Sequence, residues 1–266
     1  MVNVLETDSL SYFYDDKIVL DEMSLSIGKG EIVGILGPNG CGKTTLLKNL
    51  NKNLKPHHGV VLVEGEDMEA LSKKQIARKV AVVPQTNEIR FAFTVRDIVT
   101  MGRMPFQESF RGESSEDLRI VQSVIERTGL NDLADRFINT VSGGERQRAI
   151  IARALAQTPE IILMDEPTLH LDIDMQFEVL DFIHELSREF KLTVVIVSHD
   201  LPMVSRYCDR FILIRDHRVF ANGSAEDALT PDNMRAVFNI DAELEHDPRT
   251  GLKSVRLHGS CKNKAV

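Results

Sequence analysis

Hydrophobic and polar positions follow two rhythms along this chain. One is short and strand-like. Residues 4–14 and 17–27, parted by Asp15-Asp16, read as a strand pair, and Gly28-Lys29-Gly30 turns the chain into the wholly apolar run Ile32-Val33-Gly34-Ile35-Leu36. Further apolar runs at 60–64, 80–83, 161–164 and 193–197 read as strands, and 211–214 with 218–220 as a last strand pair. The other rhythm is helical. It covers 45–51 and 72–79, and then governs residues 86 to about 159, where no β-rich run occurs. In that stretch Thr94 opens a helix in a capping-box-like pattern. Ser114 caps a second helix over 115–128, which places Leu118, Val121 and Ile125 on one face before Gly129 closes it. Asp172 or Asp174 caps a long helix to Phe190 with Met175, Val179, Ile183 and Leu186 on its inner stripe. Short helices follow at 225–229 and 232–238. Residues 241–266 are polar without a clear pattern, and the last seven are expected to fray.

Chemistry enters where these elements end. The strand 32–36 runs into Gly37-Pro38-Asn39-Gly40-Cys41-Gly42-Lys43-Thr44-Thr45, which fits the phosphate-loop pattern G-x-x-x-x-G-K-[ST]. A strand, a glycine-rich bend and a helix start make backbone N–H groups converge on an anion, Lys43 adds a point charge, and the Thr44 hydroxyl suits Mg²⁺. Cys41 reads as a small residue among glycines rather than a redox group, because reactivity requires an exposed thiolate. A second anion-directed helix start lies at Ser142-Gly143-Gly144-Glu145, where the macrodipole contributes roughly half a charge. Two such starts in one chain bind two phosphates or share one between subunits. Polar residues also recur just past strand ends: Gln85, Asp165-Glu166 and His199, where open α/β sheets hold their ligands. Asp165 fits a metal ligand and Glu166 a base that polarises water. Tyr14 is either an ordinary strand aromatic or a ring on which adenine stacks. Arg103-Met104-Pro105-Phe106, apolar and interrupted by proline, suits either core packing or partner docking.

Composition narrows the classes. With 266 residues, 42% of them hydrophobic, the chain supports one large domain or a domain carrying an insertion. A net charge of −8 disfavours nucleic acid as a partner. Three widely spaced cysteines form neither a C-x-x-C pair nor a disulfide framework, which points to a reducing compartment. The first residues carry no basic, apolar leader, and no apolar run approaches the roughly 20 residues that span a bilayer. The expectation is a cytosolic protein, held at a membrane only by a partner.

Taken in order, Tyr14, the loop Gly37 to Thr44, Gln85, Ser142-Gly143-Gly144-Glu145, Asp165-Glu166, Leu171-Asp172 and His199 resemble the ATP-binding cassette (ABC) ATPases over essentially the whole chain to about residue 240. The resemblance implies an α/β P-loop NTPase fold with a RecA-like core, an N-terminal antiparallel β subdomain and an inserted α-helical subdomain at about 86–159. Residues 1–240 would be a single nucleotide-binding domain and 241–266 a short extension. By position, Tyr14 looks like the adenine-stacking aromatic and Gly37 to Thr45 the Walker A loop. Gln85 resembles the glutamine that touches Mg²⁺ and water and senses the transporter. Ser142 to Glu145 look like the signature that closes over ATP held by the other subunit. Asp165 resembles the Walker B metal residue, Glu166 the catalytic base, Asp172 the aspartate communicating across the dimer, and His199 the switch histidine. The implied cofactors are ATP and Mg²⁺, with a second copy packed head to tail. Glu145, Val141 and Leu169 depart mildly from the commonest residues of these motifs.

A narrower resemblance lies in residues 93–105. Thr94-Val95-Arg96-Asp97 followed by Gly102-Arg103-Met104-Pro105 looks like the cassettes of importers for iron-siderophores, haem and cobalamin. It implies an ATPase on the cytoplasmic face of the cell membrane, bound to permease subunits and served by an extracytoplasmic substrate-binding protein. Two alternatives stay open: a cassette ATPase without a transporter, and a cassette serving another cargo such as an oxyanion. A simple phosphate-loop kinase or GTPase leaves Ser142-Gly143-Gly144 and His199 without a purpose.

Overall fold

The computed structural model describes residues 2–85, 89, 91–107, 114–249 and 251–261. In chain order the elements are β1 (Asn3–Tyr14), β2 (Lys17–Gly28), β3 (Ile32–Leu36), α1 (Lys43–Leu50), β4 (His58–Val63), β5 (Glu66–Asp67), α2 (Lys73–Lys79) and β6 (Val80–Val83). Next come α3 (Val95–Thr100), α4 (Ser115–Arg127), α5 (Gly143–Ala156), β7 (Ile161–Asp165), α6 (Ile173–Phe190), β8 (Thr193–Ser198) and α7 (Leu201–Val204). The chain closes with β9 (Arg210–Arg215), β10 (Arg218–Gly223), α8 (Ala225–Ala228), α9 (Pro231–Phe238), β11 (Ile240–His246) and β12 (Lys253–Ser260).

Six strands form the central sheet in the order β10-β9-β3-β8-β7-β6, parallel except for β10 at its edge. The apolar runs are continuous because both faces are covered. Alternate residues serve different cores. Ile32, Leu36, Val194 and Ile196 face a cluster built with α3 to α6, whereas Val33, Ile35, Val195 and Val197 face a cluster with α1 and the antiparallel sheet β2-β1-β4-β5. A strand side chain fully buried in this way contributes about 1.5–3 kcal/mol. The architecture is thus the expected α/β core with an antiparallel β subdomain and a helical subdomain. The expected start of that helical stretch at Thr86 lies outside the described residues, as do 262–266 of the seven expected to fray; Ser260, by contrast, is paired with Ile240 in a strand.

Three expectations change. Leu118 is not on the inner face of α4; it is 52% exposed, and the buried stripe is Asp117, Val121, Val124 and Ile125. Val121 and Ile125 are buried as expected, and only the first position differs, because Asp117 points inward to Arg103, with Nε to Oδ1 at 2.8 Å. In the stretch Arg103 to Phe106 the core-packing reading holds for Arg103. Arg103 is buried, donating to Ala156 O at 2.7 Å and lying 3.9 Å above the Phe106 ring centroid, while Met104 is 64% exposed. Finally, β11 and β12 pair antiparallel, where the sequence suggested an unpatterned tail. Their Ala242 and Val255 are buried in the same cluster as Leu201 and Val204 of α7, and the Cys261 N–H donates to Asn239 O at 3.0 Å. Only alternate positions are apolar on a two-stranded sheet with one face in water, so its signal in the sequence is weak.

Candidate active site

The neighbouring parallel strands bring their C-terminal ends to one crevice. Leu36 of β3 pairs with Ser198 of β8, and Val197 of β8 with Asp165 of β7, so the phosphate loop, Glu166 and His199 emerge side by side. Gln85 follows β6 at the far end of the same row. A cavity of about 270 Å³ is lined by Asn39, Gly40, Gly42, Lys43, Thr44, Thr45, Gln85, Asp165 and Glu166 together with Val19 and Val197, and His199 is joined to it through its bond to Glu166. Sequence spacing anticipated the loop residues, Gln85, Asp165 and Glu166, but not Val19 or Val197.

The loop adopts its bend through glycine. Gly42 has φ 106°, and a Cβ there would lie 2.4 Å from Val19 O, so both backbone angle and space demand glycine. Lys43, buried, donates from Nζ to Gly37 O at 2.7 Å and to Pro38 O at 3.1 Å, which holds its ammonium inside the loop. Cys41 is buried against Gly37, and burial raises its pKa, so it packs as a small apolar group. Pro38 is exposed at the loop's rim.

Asp165 ends β7 almost fully buried. Burial raises its pKa, partly offset by a hydrogen bond from the Thr44 side chain. Its Oδ1 is buried with no hydrogen-bond partner. Such an atom costs about 1–3 kcal/mol unless something satisfies it. A carboxylate oxygen beside a threonine hydroxyl fits Mg²⁺, which is typically held by one or two carboxylates plus substrate phosphates rather than by a protein cage. Among the described residues no group of three His, Cys, Asp or Glu side chains offers such a cage. Glu166 has φ 50°, a left-handed conformation costing on the order of 1–2 kcal/mol, and its N–H is pinned to Val197 O at 2.9 Å. Its Oε2 lies 2.8 Å from His199 Nδ1. An ionised carboxylate only accepts, so Nδ1–H donates and the imidazole fixes the carboxylate's position.

The second anion-directed helix start is separate. Ser142 caps α5 through a reciprocal box with Glu145, whose carboxylate accepts from the Ser142 N–H at 2.7 Å. That bond, the largest influence on Glu145, lowers its pKa. Ser142 and Gly143 face solvent, Gly144 packs beside Met175, and none of the four lines the phosphate cavity. Asp172 occupies the N-cap position of α6, but its side chain makes no capping bond and is exposed.

A second groove, of about 750 Å³, continues from the first: Val19 and Gly40 line both, and the groove extends to Tyr14 and His217. Tyr14 is partly exposed, with its ring edge-on to Tyr12 at 5.0 Å. Sequence reasoning missed Val19 and His217. The only available signal was the Asp216-His217 turn between β9 and β10, both residues having positive φ.

Comparisons with known proteins agree with this geometry. A family model described as ABC transporter matches residues 20–169. The chain is 39% identical over 263 residues to an iron(3+)-hydroxamate import ATP-binding protein of Bacillus subtilis, covering 99% of this chain and 98% of that protein. It is 41% identical over 237 residues to a cobalamin import ATP-binding protein of Halobacterium salinarum, covering 89% of this chain and 59% of that one. A solved ABC transporter in an inward-facing conformation, described as of metal-chelate type, superposes with a TM-score of 0.85 at 29% identity, covering 98% of this chain and 99% of that one. A phosphate loop, a buried strand-end carboxylate and a fold shared along the full length leave one assignment: the chain belongs to the ATP-binding cassette transporter family, as an ATPase that binds ATP.

Proposed function

We propose that this ATPase powers import of a metal chelate, such as an iron-siderophore, haem or cobalamin, through separate permease subunits. Residues 1–240 act as one nucleotide-binding unit and 241–266 as a short extension, whose β11 and β12 pack on α7. The observation that carries the site assignment is the meeting of Lys43, Thr44, Asp165 and Glu166 in one cavity, with His199 bonded to Glu166. In this reading the backbone of Gly37 to Thr45 and Lys43 Nζ bind the β- and γ-phosphates. Thr44, Gln85 and Asp165 hold Mg²⁺, whose charge offsets that of the phosphates. Glu166 accepts the proton of the attacking water, and His199 keeps the Glu166 carboxylate aimed. Tyr14 stacks on the adenine.

Because Ser142, Gly143, Gly144 and Glu145 lie outside this chain's own phosphate cavity, we assign them to ATP held by a second copy, with Asp172 beside them at the interface. No helix among the described residues is long and apolar enough to cross a membrane. By analogy with the import ATP-binding relatives, this reading places the protein on the cytoplasmic face, held by the permease, with a substrate-binding protein delivering cargo on the other side. The metal-chelate assignment rests on the relatives and on residues 93–105. Reconstitution with the permease and binding protein in vesicles, followed by uptake of a panel of ferric hydroxamates, haem, cobalamin and molybdate, tests it. Uptake of one of the first three classes driven by Mg²⁺-ATP is expected, and uptake of molybdate alone would overturn it.

A further inference from the structure

The nucleotide assignment above accounts for every motif residue but leaves His217 unused, and its position in the groove is specific. The groove that ends at Tyr14 is contiguous with the phosphate cavity through Val19 and Gly40. A nucleotide whose phosphates lie on the loop therefore extends its base into the space that His217 also lines. His217 is half-buried and fastened at two points: its backbone carbonyl accepts from the Asp21 N–H at 2.9 Å, and its Nδ1 lies 3.2 Å from Val19 O. A carbonyl oxygen only accepts, so Nδ1 carries the proton. A ring carrying that single proton leaves Nε2 as a hydrogen-bond acceptor. No hydrogen bond to that nitrogen occurs among the described residues. His217 also sits at φ 67° in a tight turn, a conformation that glycine adopts without strain. A half-buried imidazole with one nitrogen anchored and the other left as an acceptor beside a base-sized groove is suited to reading a donor on that base.

We infer that His217 is a specificity-determining residue of the nucleotide site: its Nε2 accepts a hydrogen bond from the exocyclic 6-amino group of adenine. Guanine and hypoxanthine present a 6-oxo group at that position, so acceptor would face acceptor. The inference rests on the proposed stacking of the base on Tyr14 and names the feature of the base that the site reads. Ribose hydroxyls are the other donors of a nucleotide, and the experiment separates them.

Equilibrium binding of ATP, inosine triphosphate and 2′-deoxyATP to the full-length protein with Mg²⁺ provides the test. The parent should prefer ATP to inosine triphosphate by roughly 3- to 10-fold, the range of one net hydrogen bond. His217→Gly, which suits the turn, should bring that ratio to about 1 while binding inosine triphosphate as the parent does. His217→Asn, whose shorter side chain tolerates the same backbone, should also lose the preference. Tyr14→Ala should weaken ATP and inosine triphosphate alike without changing their ratio. If it weakens neither, the base lies elsewhere and the stacking assignment fails. An unchanged ATP preference in His217→Gly overturns the inference for His217 while leaving the stacking intact. So does a variant that loses only its discrimination against 2′-deoxyATP, which would make His217 a ribose contact.

Discussion

At the scale of single residues, the crevice combines groups that each carry a local cost. Glu166 sits in a left-handed conformation, and Asp165 keeps one buried oxygen without a partner. Strain and unmet bonding of this sort gather where chemistry is done. Glu166→Gln preserves shape and removes the proposed proton acceptor. Hydrolysis is expected to fall by about 10²- to 10⁴-fold with ATP affinity nearly unchanged, as measured by phosphate release and by titration with ATP. Gly42→Ala should fail differently. The added Cβ meets Val19 O at 2.4 Å in a backbone region closed to alanine, so nucleotide binding should be lost together with some stability, visible as a lower midpoint in urea. Arg103 and Asp117 make a buried pair away from the crevice, with side chains 5% and 9% exposed. Hydrogen bonds from Arg103 and then Ser114 hold the Asp117 carboxyl below its usual value. A carboxyl with a depressed folded-state pKa stabilises the protein above its unfolded value of about 3.9 and loses that contribution as pH falls through the folded value. Thermal unfolding of Asp117→Asn should therefore depend less on pH in the acid range than that of the parent, and at neutral pH the variant should be less stable by roughly 3–5 kcal/mol, the cost of leaving a buried cation unpaired.

Elements show how far pattern alone reaches. The parallel strands were legible because each is a short, unbroken apolar run ending in a polar motif, and the phosphate loop, Gln85, Asp165-Glu166 and His199 were found from those ends. The first turn of α4 was not, although Val121 and Ile125 were placed on its inner face correctly. Apolar spacing favoured Leu118, whereas the helix buries a carboxylate, a choice that depends on Arg103 fourteen positions earlier in another element. The hairpin of β11 and β12 was missed for a related reason: its apolar face is defined only by what it covers, namely α7 and the segment following His199. The contact includes a buried hydrogen bond from Val255 N–H to Ser205 Oγ at 3.0 Å, next to Leu201 and Val204. Ser205→Ala leaves that N–H unpartnered in the core and should destabilise the protein by about 1–3 kcal/mol, measured by chemical denaturation. Restoring the hydroxyl with threonine should recover most of the loss.

For the whole molecule, the two anion-directed helix starts are the decisive geometry. One lines the phosphate cavity and the other opens to solvent outside it, which is the ground for the proposed site shared between two chains. With Mg²⁺-ATP, the Glu166→Gln protein is expected to run as a dimer in light scattering. Adding Ser142→Arg should return it to a monomer that still binds ATP; a dimer persisting in the double variant would remove Ser142 from the interface. Sequence by itself determined the strand runs, the phosphate loop at the end of β3, the carboxylates at the end of β7 and the family they resemble, because these are local patterns in which the neighbours that matter are a few residues away. Tertiary structure alone decided that Val19 joins the phosphate cavity to the groove of Tyr14 and His217, that Asp117 turns inward, and that the last two strands brace α7. Those contacts join residues up to about two hundred positions apart, and no local periodicity encodes which distant surfaces will close on one another.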